Sequence, residues 1–260
     1  HGHGNGSRHL SNGSQHDEPG QPVGPALLRW QPPARPAQRP LQGRFCIVEP
    51  LDVARHAHAL FDANGQDREH RMWTYLSYGP FMGFDTYERW LTECAAGTDP
   101  LFQAFVDRRS GNAVGIGAFM RIDPPAGTIE VGHIALSPAL QRSPAATEAM
   151  YLMMRHAFEL GYRRYEWKCD ALNARSRRAA ERLGFVFEGV FRQATVYKGR
   201  SRDTAWYSVI DSEWPLLREA FERWLDRDNF DASGVQRTRL EIIRAALQSR
   251  RDADGRPGGA

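Results

Sequence analysis

Lysine is almost missing from this chain. Of 34 basic residues among 260, only Lys168 and Lys198 are lysines, and arginine supplies the rest. That bias fits a GC-rich genome as well as any binding role. A surplus of one charge is missing too, because 31 acidic residues nearly balance the basic ones and leave a net charge of +3. So even a balance argues against a nucleic-acid-binding protein, although arginines gather at 175–182 and 192–202. Cysteine is scarce. Cys46, Cys94 and Cys169 are too few and too scattered for a disulfide framework or a zinc site, which fits a reducing, cytoplasmic setting. No apolar run approaches membrane-spanning length, and the start lacks the apolar stretch of a signal peptide, so no membrane partner is expected.

What is present is ordinary for a globular protein, with 41% hydrophobic and 25% charged residues. Residues 1–40 read as a disordered N-terminal arm, rich in Gly, His, Ser and Pro and poor in apolar residues. His1, His3, His9 and His16 there suit a solvated tail better than a metal site, so no metal is expected. Residues 41–215 read as one α/β (α+β) domain, a mixed, mostly antiparallel twisted sheet of about seven strands flanked by helices. Residues 216–260 read as a helical C-terminal extension and tail. Asp52 is a plausible N-cap for a helix to about Ala63, and Asp85 opens a second to about Ala96. Strands at 101–107 and 113–122 form a hairpin across Arg108–Asn112.

Between Ile129 and Phe187 the order is strand, polar loop, helix, strand, short polar helix, Gly-Phe, strand. The first strand ends at Leu136 and the helix after it begins near Ser143-Pro144. Ser143 is a good N-cap, Pro144 fits the first helical position, and Ala145, Ala146 and Thr147 are small enough to admit a ligand to the backbone. Such a helix end turns amides and a positive dipole toward an anion, and Gln141 and Arg142 can add contacts. Taken alone, the stretch is equally a well-capped helix. The next strand ends at Cys169-Asp170, opposite Asn173 and Ser176.

These segments resemble the GCN5-related N-acetyltransferases (GNAT), most closely the Rim-type branch named for ribosomal-protein N-terminal acetyltransferases. The resemblance rests on Gln141-Arg-Ser-Pro-Ala-Ala146 and on Asn173-Ala-Arg-Ser176, followed by Arg182-Leu-Gly-Phe185 and Glu188-Gly189. It implies a GNAT-like fold and acetyl-CoA as co-substrate. Ile134, Leu136, Gln141, Arg142, Ser143, Ala145, Ala146 and Thr147 would lie along the cofactor, and Asn173 and Ser176 would contact it. The acceptor would be a primary amine on a protein N-terminus or a small molecule. Two positions depart from the family pattern. Pro144 stands where the loop has its first glycine, removing one amide donor. Ala180 stands where many relatives carry a tyrosine that protonates the departing thiolate; Rim-type enzymes often lack it.

Acetyl transfer needs a neutral amine, so some group must accept a proton. Glu130, a carboxylate within the apolar strand Ile129–His133, is the first candidate. His133 is the second. Each has a plain alternative, a solvent-facing strand residue for Glu130 and a core histidine for His133. Cys169 reads as a small buried hydrophobe before a nucleophile. Trp73, Tyr75, Tyr78 and Phe81 lie in the loop that borders the acceptor pocket in the family, and core packing claims some of them. The leading expectation is direct transfer in a ternary complex, and the alternative is a non-catalytic acyl-CoA-binding module. Monomer and homodimer both remain open.

Overall fold

The computed structural model describes residues 15–255. The expectations for residues 1–14 and 256–260, including those for His1, His3 and His9, lie outside the described residues. Up to Pro32 the described chain forms a unit of its own. Within it, β1 (Gln15–His16) pairs antiparallel with β2 (Pro22–Val23), and the Asp17 carboxylate accepts from the Gln21 amide at 2.7 Å.

The second unit runs from Pro33 and holds everything else. It comprises β3 (Leu41–Gln42), β4 (Cys46–Pro50), α1 (Val53–Asn64), α2 (Phe84–Ala96), β5 (Leu101–Asp107), β6 (Ala113–Asp123) and β7 (Thr128–Leu136). There follow α3 (Pro144–Leu160), β8 (Arg164–Asp170), α4 (Ala174–Leu183), β9 (Val186–Tyr197), β10 (Arg200–Ile210), α5 (Trp214–Trp224) and α6 (Leu240–Asp254). Helices and hairpin fall within a residue or two of the sequence reading, apart from α6, which runs five residues further than expected. Local chemistry explains the starts. Asp52 accepts from the Arg55 amide at 3.1 Å, Ser143 Oγ from Ala146 at 3.2 Å, and Asn173 from Ser176 at 3.1 Å. α4 ends at Gly184, where φ is 99° and the Leu217 side chain leaves no room for a Cβ.

Strands β3 to β10 form one sheet in the order β3-β4-β5-β6-β7-β8-β10-β9. It has eight strands where about seven were expected, because Leu41–Gln42 pairs as a short edge with Ile47 and Val48. Every neighbour is antiparallel except β7 with β8. One face carries the larger core, where Ile129, Val131, Tyr165, Trp167, Ala205 and Tyr207 pack with α3, α5 and α6. On the other face α1 and α2 cover β5 and β6 over Trp73, Leu91, Phe102 and Ile116. By strand alternation the same face of β7, β8 and β10 presents Glu130, Glu166, Lys168 and Trp206.

Two stretches expected outside the domain pack against it. Pro33 and Pro36 are buried, Ala37 donates its amide to His156 Nε2 at 3.1 Å, and Tyr162 Oη donates to the Ala34 carbonyl at 3.0 Å. At the other end, Leu240 and Leu247 of α6 join the larger core. Among the described residues no helix is long and apolar enough to cross a membrane.

Candidate active site

The parallel pair β7–β8 is short. Thr128, Ile129 and Glu130 pair with Arg164, Tyr165 and Glu166, and there the ladder stops. Beyond it β7 stays with β6 as far as Leu136, while β8 follows β10 to Asp170. The strands therefore splay apart from Val131 and Trp167 onward, leaving main-chain edges facing a cleft. On the β7 side a bulge sets Gly132 against Ala118 and Ala135 against Ile116, so His133 and Ile134 oppose Gly117 alone. His133 takes φ 49°, a left-handed conformation rare for a non-glycine. Ile134 in the bulge and Leu136 past it are half-buried against the larger core.

Helix starts close the wide end. Gln141 Nε2 donates to the Leu136 carbonyl at 2.9 Å, and its Oε1 accepts from Arg175 Nη2 at 3.2 Å, tying the loop before α3 to the first turn of α4. Arg142 has φ 58° and leads into Ser143, whose hydroxyl caps α3. Ala145, Ala146 and Thr147 are buried in the first turn, and Thr147 Oγ1 accepts from Arg182 Nη1 at 2.9 Å. Asn173 is the N-cap of α4, and Ser176 Oγ accepts from the Trp167 indole at 3.0 Å. The ten positions expected along the cofactor thus lie on the β7 strand past the splay, the loop and first turn of α3, and the first turn of α4. Arg142, Arg175 and Arg182 surround the start of α3, where positive dipole and guanidinium groups suit phosphate. At the foot of the same loop the Ser137 hydroxyl is fully buried with no hydrogen-bond partner among the described residues. Small side chains, a helix N-terminus, nearby arginines and an unpaired hydroxyl fit a phosphate-bearing ligand with a narrow polar arm.

Glu130 is the last paired residue before the strands part, and it is 2% exposed. Lys168 Nζ lies 3.2 Å from its Oε1, and Arg121 Nε lies 3.5 Å from the same oxygen. Burial raises the carboxyl to about 7, against the pull of Lys168 and Arg121 and with some help from Glu166. His133 Nδ1 lies 3.0 Å from Tyr78 Oη, so a proton can enter or leave that ring only through Nε2. Burial, and then the charge of Lys168, lower the His133 pKa and so favour the neutral imidazole. Cys169 has its thiol pushed up by burial, which disfavours the thiolate a nucleophile requires. Ala180 is fully buried in the larger core and offers no proton.

The aromatic loop divides. Trp73 is core, 3% exposed, with its ring 5.3 Å from Phe81, and only its carbonyl faces outward, accepting from Lys198 Nζ at 2.6 Å. Tyr78 and Phe81 are half-buried around Trp90. Tyr75 alone is exposed, donating to the Leu172 carbonyl at 3.4 Å. The aromatic wall beside Glu130 comes from elsewhere. Trp206 lies 5.2 Å from Lys168 Nζ and 5.0 Å from Phe191, and both aromatics line a cavity of about 370 Å³ with Arg121, Arg164, Glu166 and Glu188. Sequence reasoning missed Lys168, Arg121, Trp206 and Phe191. The rarity of lysine was a usable signal for Lys168, which lies 3.2 Å from Glu130.

A short parallel pair splays beside a bulged strand, with a capped helix start at its mouth. Residues 46–186 match the acetyltransferase (GNAT) domain model, and the chain belongs to that family. It is 46% identical to a GCN5-related N-acetyltransferase from Brucella melitensis, covering 84% of this chain and 100% of that one with a TM-score of 0.83. A probable GNAT-family acetyltransferase from Chromobacterium violaceum is 40% identical over 76% of this chain and 100% of its own, with a TM-score of 0.70. The ribosomal-protein-serine acetyltransferase of Escherichia coli is 30% identical over 111 residues, 42% of this chain and 62% of that protein. The chain therefore spans less than two thirds of that curated relative.

Proposed function

We propose that this protein is an acetyl-CoA-dependent N-acetyltransferase that acetylates a primary amine of a protein N-terminus or a small molecule, by direct transfer in a ternary complex. Family membership supports acyl transfer from acetyl-CoA. The observation that carries the rest is Glu130, a buried carboxyl raised to about 7 at the point where β7 and β8 part. Gln141, Arg142, Ser143 and the Ala145–Thr147 turn would hold the phosphates, with Arg175 and Arg182 beside them. The β7 edge through Ile134 and Leu136, with Asn173 and Ser176 opposite, would hold the arm. Bound acetyl-CoA supplies a thioester carbonyl as the electrophile.

The chain's own groups do the rest. An amine arriving as ammonium cannot attack, and Glu130, with a pKa near neutrality, accepts its proton directly or through water. Lys168 and Arg121 keep that carboxyl from rising further, so a useful fraction is ionised at pH 7. As the N–C bond forms, the C–S bond breaks, and the nitrogen's second proton passes to the departing thiolate, directly or through water, leaving the amide and the free thiol. Thiol release from acetyl-CoA across a panel of amines and short peptides tests the proposal. Turnover on at least one acceptor is expected, with Glu130→Gln losing about 10²–10³ in kcat/KM and retaining CoA binding. CoA binding with no turnover on any acceptor would instead mark a non-catalytic acyl-CoA module.

A further inference from the structure

Two arginines line the cavity beside Glu130, and they use their charge differently. Arg164 is spent. Its Nη2 lies 2.5 Å from Glu188 Oε1, its Nη1 lies 2.9 Å from Glu188 Oε2, and Nη2 lies 3.2 Å from Glu166 Oε2. Two carboxylates share that one guanidinium. Arg121 has a single carboxylate neighbour among the described residues, Glu130 at 3.5 Å, and its side chain is 52% exposed.

The backbone directs Arg121 into this position. β6 bulges as its register with β7 passes from Met120↔Glu130 to Asp123↔Thr128, and Arg121 takes φ 46°. For a non-glycine residue that conformation costs about 1–2 kcal/mol. The Asp99 carboxylate holds it, accepting from the amides of Arg121 and Ile122 at 2.9 Å each. The result is a guanidinium stacked 5.2 Å above the Trp206 ring, two strands away, with its planar fork at the cavity wall. Backbone strain clamped to aim one cation into a cavity is an arrangement found at ligand sites.

We infer that Arg121 binds a carboxylate and that the acceptor is a free α-amino acid, with its amine at Glu130 and its side chain against Trp206 and Phe191. The inference rests on the acetyltransferase reading. In an α-amino acid the amine nitrogen and the carboxylate oxygens lie within about 4 Å of each other across one carbon. Glu130 Oε1 and Arg121 Nε are in ion-pair contact at 3.5 Å, so base and carboxylate receptor are adjacent and one small molecule can engage both. Arg164 is held by Glu166 and Glu188 and has no charge to spare, so Arg121 is the cation on the cavity wall left to receive a carboxylate. A guanidinium receives it through two parallel N–H bonds. A volume of about 370 Å³ with Phe191 and Trp206 at 5.0 Å suits an apolar or aromatic side chain. A protein N-terminus has its first carboxyl locked in a peptide bond and offers Arg121 no carboxylate there.

The test compares L-phenylalanine and L-leucine with their amides, with phenethylamine and with the tripeptide Phe-Ala-Ala, following thiol release. The free amino acids are expected to exceed amide, amine and tripeptide at least tenfold in kcat/KM. Arg121→Gln should cut the ratio of amino-acid to amide kcat/KM at least tenfold, any effect through the Glu130 carboxyl falling on both substrates alike, and its thermal midpoint should match the parent's. Equal or better turnover of an amide, of the tripeptide or of a peptide with an acidic second residue overturns the inference and leaves the acetyltransferase reading intact. So does selectivity that survives Arg121→Gln. If no amine is consumed, calorimetric titration of L-phenylalanine into the CoA-saturated protein decides: no binding, or binding indifferent to Arg121→Gln, overturns the inference. Failure to bind CoA at all overturns the acetyltransferase reading with it.

Discussion

Two buried glutamates hold opposite positions in this molecule. Glu148 on α3 and Glu130 on β7 are 3% and 2% exposed, so both carboxyls have lost their water. Glu148 recovers what it lost from the backbone. Its Oε2 accepts from the Arg44 amide at 2.9 Å, and its Oε1 from Phe45 and Cys46 at 2.7 and 2.8 Å. The turn closes so tightly on it that a Cβ at Gly43 would collide with the carboxylate. Glu130 meets long side chains instead, Lys168 and Arg121, at ion-pair distance. Fixed amides make a carboxylate part of the fold. Mobile cations beside a cavity leave one able to trade its proton, and that difference separates a structural acid from a reactive one.

Removing each acid should therefore do different damage. Glu148→Ala would orphan three N–H groups, one buried and two half-buried, at about 1–3 kcal/mol for each that stays dry, for a loss of roughly 3 kcal/mol or more, a large part of a typical domain's stability. Denaturant titration measures it, and a loss under about 1 kcal/mol would end the claim that this carboxylate staples α3 to the β3–β4 turn. CoA affinity of the folded fraction should hardly change, since those contacts lie away from the splay.

Glu130→Gln should go the other way on stability. The folded-state carboxyl is raised from 4.5 to about 7, so its contribution is fully present below about pH 4.5 and is lost as pH rises through 7. Glutamine removes that loss. The variant should match the parent at pH 4.5 and exceed it at pH 8 by something on the order of 2 kcal/mol, while being far less active. Equal stability at both values would mean that Lys168 and Arg121 offset the burial fully, and the contrast with Glu148 would collapse.

Much of this was legible in the sequence. Alternation placed the hairpin strands, Ser143-Pro144 and Asn173 marked the helix starts, and the Asn173–Phe185 motif pointed to the family. All these signals are local. What escaped depends on pairing between distant segments. Where β7 and β8 part is set by the register of three neighbouring ladders, and no short window encodes it. Pro33–Ala37 read as part of a polyproline-like arm because its partners, His156 and Tyr162, lie more than a hundred residues away. Trp73 looked like a rim residue by composition, yet tertiary packing claimed its ring. The aromatics beside Lys168 and Arg121, Trp206 and Phe191, come from strands late in the chain.

The smallest expected effect is the most specific to the site. If Glu130 is the base, activity rises with pH as the carboxyl ionises, so the acid limb of kcat/KM should have its midpoint near 7. Four titratable or charged groups face that carboxyl or its neighbours: Arg121 from β6, His133 farther along β7, and Lys168 and Glu166 from β8. Lys168 is the closest of them, and its charge favours the ionised form. Lys168→Met should move the limb upward by about one pH unit. Lys168→Arg should leave it near its original position, because charge rather than shape sets the effect. A limb that Lys168→Met fails to move, or moves downward, would transfer the titration from Glu130 to a group that Lys168 does not influence. Removing a cation raises an imidazole's pKa as well as a carboxyl's, so Lys168→Met alone cannot separate the two upward shifts. Glu130→Gln can: it abolishes the limb if Glu130 is its source and preserves it if His133 is.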